Sequence, residues 1–192
     1  MSTALAVRFV FWIWILAAIA VGYTGTLARL PMQAVPAVVL GLTAVLVLAY
    51  RTLSAFRAWI ESLDLRALVS LHITRFVGAY FLVLYQRGEL PYAFAVPGGI
   101  GDIAVATVAV TIVFVPMSDE RRLRLISIWN VVGLVDILLV VSTAARLVLQ
   151  GSQELRALTY LPLSLLPTFL VPLIVSCHLA IFARIRQREK SD

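Results

Sequence analysis

Cysteine is nearly absent from this chain, and so is lysine. Cys177 stands alone among 192 residues, so no intrachain disulfide forms and cysteine usage does not report the compartment. Fifteen of the sixteen basic residues are arginine; the other is Lys190. Charged residues make up 14% of the chain, against about 25% in soluble domains. The sequence holds no P-loop, no GxSxG, no HExxH, no paired-aspartate prenyl-phosphate motif and no CxxC. Nothing therefore points to ATP-driven pumping or to soluble-type hydrolysis, and the chain reads as a non-enzyme. Gly98-Gly99-Ile100-Gly101 is not a dinucleotide loop, since no strand precedes it and the third spacing is missing.

What fills the chain instead is apolar. Hydrophobic residues reach 61%, and they come in blocks of about twenty, the length that crosses a bilayer as a helix. The expected fold class is all-α: a polytopic membrane bundle of six transmembrane helices plus one interfacial amphipathic helix. The segments run from about 9 to 27, 35 to 50, 67 to 86, 97 to 115, 125 to 149 and 159 to 183, as a single transmembrane domain over 1–192. Ala18-Ile19-Ala20 resembles a signal-peptidase site, but the length of the first run favours a retained helix. Between segments two and three, over 51–66, Leu53, Phe56, Ile60, Leu63 and Ala67 recur at three and four. Arg51, Arg57, Glu61 and Asp64 lie elsewhere on the wheel, and Trp59 suits the headgroup level.

The net charge of +6 could suggest nucleic acid, but the arginines lie between apolar blocks, where they set orientation. No basic face of a soluble domain is left for nucleic acid. With six spans the links alternate sides. Arg8, Arg51, Arg57, Arg66, Arg121, Arg122, Arg124, Arg184, Arg186, Arg188 and Lys190 fall on one side. Arg29, Arg87, Arg146 and Arg156 fall on the other, which places both termini in the cytoplasm. Proline pairs mark the outer turns, at Pro31 and Pro36, Pro91 and Pro97, Pro162 and Pro167; turn preference explains them more simply than an internal repeat.

Six polar residues are hard to place in hydrocarbon. At 1.5 Å per residue, His72 and Asn130 lie about 7–8 Å from the cytoplasmic end, His178 about 9 Å, Arg75 about 12 Å and Asp136 about 16 Å. Asp102 lies near the outer end of segment four, where capping a helix N-terminus is its expected job. His72, Arg75 and Gly78 are spaced by three, as are Asn130, Gly133 and Asp136, so each set forms a stripe on its helix. Lipid satisfies neither stripe, so both face the bundle interior. Arg75 and Asp136 are within reach of one another as an ion pair, for packing or for a proton or anion. His72 and His178 share a level, which allows axial ligation of a b-type haem between segments three and six. Pro162, Pro167 and Pro172 bend segment six, with Thr159, Ser164, Thr168 and Ser176 near the freed carbonyls.

His72-Ile73-Thr74-Arg75-Phe76-Val77-Gly78, Pro97-Gly98-Gly99-Ile100-Gly101-Asp102, Trp129 to Asp136 and Pro167-Thr168-Phe169-Leu170-Val171-Pro172 resemble stretches of a family of small bacterial multi-pass, six-helix membrane proteins. The resemblance covers most of segments three to six. It implies a bacterial inner-membrane location and brings no activity and no catalytic residue with it.

Three functions are compatible with these residues. The first is a proton-coupled carrier or small-molecule binder with a buried site from His72, Arg75, Asn130, Asp136 and His178 between helices three, five and six, with Asp102 of segment four as a further candidate. The second is an electron carrier with haem b on His72 and His178. The third is an accessory subunit whose polar groups only hold helices together. The bilayer is the expected partner, with a second copy or another membrane subunit beside it.

Overall fold

Glycine and proline mark most of the breaks between spans. The computed structural model describes residues 2–188, and among these every regular element is helical. Lys190, one of the charges counted on the basic side, lies outside the described residues. Six helices are long and apolar enough to cross a membrane: Thr3–Tyr23, Ala34–Thr52, Leu65–Gln86, Tyr92–Phe114, Asp119–Leu149 and Leu166–Gln187, here spans one to six. Spans three and five end alike. Beyond span three, Gly88 has φ 72°, its N–H donates to Tyr85 O, and Glu89 N–H donates to Leu84 O. Beyond span five, Gly151 has φ 82°, with Ser152 N–H donating to Leu147 O. A left-handed residue closes each helix and satisfies its last carbonyls, and glycine adopts that conformation without a Cβ clash.

Several expected boundaries move. Span four starts at Tyr92, five residues before the expected start, so Pro97 lies inside it. Pro91, with φ −74°, stands just ahead of the first turn, where a missing N–H costs little. Span five takes in Asp119 to Arg124, expected as a linker; Asp119 and Glu120 stand in its first turn, where the helix dipole favours negative charge. Span six starts later than expected. Leu166–Leu170 forms a wide π turn and Val171 onward is α-helix, while Arg156–Thr159 is a separate single turn. Pro162 therefore precedes the span, and Thr168 Oγ1 donates to Ser164 O at 2.6 Å.

The amphipathic stretch is shorter than 51–66. Leu53 is extended (φ −94°, ψ 96°), and the helix after it covers Ser54–Ser62 with no buried residue. Asp64 is extended too and caps span three: its Oδ1 accepts from the Arg66 backbone N–H at 2.8 Å, and its Oδ2 from Arg66 Nε at 3.2 Å. The Arg66 amide, joined by the guanidinium against slight burial, holds the Asp64 carboxyl below its usual value.

The backbone divides into two compact units, Met1–Ser62 with Ala144–Ser176, and Leu63–Thr143 with Cys177–Asp192. In the first, Trp14 Nε1 donates to Thr168 O at 2.9 Å and the rings of Phe11 and Trp14 meet Phe169 edge-on. Gly22 lies against the side chains of Leu161 and Ser164. The second unit holds every candidate site residue. Its apolar core includes Leu68, Val69, Ile112, Ile126, Trp129 and Ile181.

Spans three and four nearly touch at Gly78 and Gly99. A Cβ on Gly78 would stand 2.5 Å from Gly99 O and 2.7 Å from Asp102 Cβ. Gly78→Ala is therefore expected to lower stability in detergent by about 1–3 kcal/mol through overpacking. Gly41→Ala, in span two with nothing within 4 Å of the new Cβ, is expected to be neutral or slightly stabilising. Thermal melts of the two variants side by side check the contrast.

Candidate functional site

Span three is not a uniform α-helix. Leu65–Ser70 and Gly78–Gln86 are α-helical, but Leu71–Val77 between them is a 3₁₀ stretch of seven residues. Three residues per turn set His72, Arg75 and Gly78 directly above one another, where an α-helix would rotate them progressively around the axis. The 3₁₀ stretch thus aims the side chains of His72 and Arg75 in one direction. Both are buried, His72 completely and Arg75 at 1% exposure.

Arg75 is the hub. Its Nε donates to Asp102 Oδ1 at 2.6 Å, its Nη1 donates to Gly133 O at 3.0 Å, and its Nη2 pairs with Asp136 Oδ2. The guanidinium fork supplies donors in three directions, which lysine cannot do with a point charge. Spans three, four and five meet on this one group. The Arg75–Asp136 pair expected from depth is present. The expected helix set of three, five and six is incomplete, because span four supplies Asp102.

The reading of Asp102 as a helix cap is corrected. It lies ten residues inside span four, buried, and its carboxylate faces Arg75. Placing the helix start at Pro97 had put Asp102 near the outer end. The apolar run Tyr92-Ala93-Phe94-Ala95-Val96 after Pro91 was the signal for an earlier start. Glycine makes the close approach feasible. A Cβ at Gly101 would overlap the Asp136 carboxylate, and one at Gly78 would meet Asp102.

One turn away lies a layer of rings. Asn130 Nδ2 donates to His178 O at 3.1 Å, and Asn130 Oδ1 lies 2.8 Å from His178 Nδ1. With the amide nitrogen committed to the carbonyl, Oδ1 must accept, so His178 carries its proton on Nδ1 and Nε2 is a bare acceptor. His72 packs against His178 with ring centroids 4.2 Å apart, and Trp129 stands edge-on to His72 at 4.8 Å. Trp129 was not singled out from the sequence; its Nε1 donates to Val105 O at 3.0 Å. His178 Nε2 and both nitrogens of His72 are buried without a protein partner. Gly133 joins the two layers: its carbonyl accepts from Arg75, and a Cβ on it would come 2.7 Å from His178 Cε1.

The matched depth of the histidines was read correctly, but a haem between them does not fit. Two axial imidazoles must face each other across a porphyrin with nitrogens aimed at the iron. Here the rings touch, with centroids 4.2 Å apart and a tilt of 51°, and no porphyrin fits between them. Cys177 is no ligand partner either; its Sγ points to Leu68 O at 3.3 Å.

These features define an all-helical protein with six helices long and apolar enough to cross a membrane, consistent with a multi-pass membrane protein, and with a buried arginine–dicarboxylate site. A family described as a domain of unknown function (DUF8737) matches residues 32–186, and the chain belongs to it. That range contains every residue of both layers. No curated protein and no solved structure matches the chain.

The site makes a stability prediction. Arg75→Leu leaves the buried Asp102 and half-buried Asp136 carboxylates without their cation and is expected to cost about 3–5 kcal/mol. Replacing Arg75, Asp102 and Asp136 together by Met, Leu and Leu is expected to recover most of that loss, because no buried charge remains. Thermal unfolding in detergent distinguishes the two; a triple variant no better than the single one would contradict this account.

Proposed function

We propose that the chain is a proton-coupled carrier whose coupling site is Arg75 with Asp102 and Asp136. The observation that carries this reading is a charge count. One guanidinium meets two carboxylates, so the fully ionised site has a net charge of −1. At depth in a membrane an uncompensated charge costs roughly 2.5–3.5 kcal/mol on insertion scales. A single proton shared by the two carboxyls brings the site to neutrality. Two carboxyls competing for one cation are also a good proton exchanger, since the proton can leave either of them. An accessory role, with polar groups that only hold helices together, needs one carboxylate opposite Arg75, and the second makes such a pair worse. The histidine layer, joined to this site through Gly133, adds three buried nitrogens without a protein partner, able to hold water or a proton.

The test is an infrared titration of the purified protein, because a protonated carboxyl absorbs apart from a carboxylate. At neutral pH the expected result is one protonated carboxyl. Asp102→Asn and Asp136→Asn should each abolish it, since the remaining carboxylate pairs with Arg75 without a proton. Absence of the band in the wild type, or its persistence in both variants, would rule out the proton site.

For location the reading is the bacterial inner membrane with both termini in the cytoplasm, supported by the asymmetry of arginine between alternate links. A reporter active only outside the cytoplasm should work when fused after Gly151 and fail when fused after Ser118. The reverse pattern would invert the topology.

A further inference from the structure

The proton site reaches the outside of the bundle at Asp136. Its side chain is 20% exposed, against 5% for Asp102 and 1% for Arg75. What surrounds that opening is not polar. On span four Pro97, Ile100 and Ala104 lie on one helix face, and on span five Val132, Val135 and Leu139 lie on another. All six are exposed. Gly101 and Asp136 stand between the two rows. The Cβ that would overlap Asp136 from Gly101, and the one that would come 3.2 Å from Val140 Cγ2 at Gly98, show that the two spans run side by side here. The result is a groove with hydrocarbon walls and a carboxylate on its floor.

A carboxylate opening onto apolar walls selects its visitor by chemistry. Inorganic cations such as calcium or magnesium need several oxygen ligands, and these walls are carbon. A neutral apolar molecule would leave the surplus negative charge of the ionised site uncompensated. An organic cation supplies both halves, a charge for Asp136 and an apolar body for the walls.

We propose that this groove admits a lipid-soluble organic monocation, a protonated amine or quaternary ammonium, in exchange for the proton held by Asp102 and Asp136. The inference rests on the proton-site reading above and names the ligand class for it. The balance is simple. Before exchange the site holds Arg75 as a cation, one carboxylate and one carboxyl. Afterwards it holds Arg75, two carboxylates and the organic cation, and one proton has left for solvent. Both states are neutral. The charged and titratable groups around Asp136 are Arg75 from span three, Asp102 from span four and, across Gly133, His178 from span six.

The probe is tetraphenylphosphonium, whose fixed charge does not titrate, measured by equilibrium dialysis against the purified full-length protein. Affinity is expected to rise about tenfold per pH unit over the range in which the site still gives up its proton. A weakly buffered dye should register one proton released per probe bound. Asp136→Asn should weaken binding by about tenfold or more and remove the pH dependence. Ala104→Trp, which fills the groove, should also weaken binding. Leu48→Trp, exposed on span two, should leave it unchanged. Each variant is accepted only if its elution volume and helical circular dichroism match the wild type.

Binding that does not change with pH, or that survives Asp136→Asn and Ala104→Trp, overturns the proposal. So does the absence of binding. Disulfide capture of Ala104→Cys as a dimer in membranes would place a second copy in the groove and overturn it too. If the protonated carboxyl is seen by infrared but the probe does not bind, the ligand class fails and the proton site stands. If the carboxyl band is missing, both fail.

Discussion

The guanidinium of Arg75 cannot be left alone at its depth. In hydrocarbon its donors have no water to turn to, and the rest of the second unit is arranged around answering them. Span four brings Asp102, span five brings Asp136 and a backbone carbonyl, and each must come within hydrogen-bond distance of a planar fork. That requirement explains the glycines. Gly78 and Gly99 let two backbones approach, Gly101 leaves room for a carboxylate, and Gly133 offers its carbonyl where a side chain would collide with His178. It also accounts for the 3₁₀ stretch in span three, because tightening the helix keeps His72 and Arg75 in line.

The two polar layers differ in kind. The ion layer is charged and balanced among three spans, and it opens to the outside through Asp136. The ring layer is neutral in its hydrogen bonding, and its orientation is set by Asn130, which engages both the backbone and the ring of His178. Burial without partners for three imidazole nitrogens is costly unless something polar visits them. The histidines adjoin the ion layer through one residue, Gly133, so a change in charge at Arg75 is felt at His178 over a short, low-dielectric path.

Much of this was legible in the chain itself. The apolar blocks predicted six spans, and the three-residue spacing of His72, Arg75 and Gly78 and of Asn130, Gly133 and Asp136 predicted two inward stripes. Depth alone paired Arg75 with Asp136 and set His72 level with His178. The error at Asp102 has a local cause. Proline at 97 signals a helix start in the sequence but lies within span four, and this places Asp102 in the interior rather than at a cap. The haem reading failed for a different reason. Equal depth says nothing about how far apart two rings stand, and 4.2 Å between centroids leaves no slot for a porphyrin. Trp129 was not among the candidate site residues, because an aromatic residue in an apolar run carries no distinguishing pattern.

The sequence by itself determined the class of protein, the number of spans and the residues that lipid could not satisfy, because bilayer thickness and the cost of buried charge act on composition and spacing directly. Only the tertiary structure decided the partners. That Arg75 serves two carboxylates rather than one depends on which helices are neighbours and how closely their glycines let them approach. Such information is held in three-dimensional packing, and no periodicity along one helix encodes it.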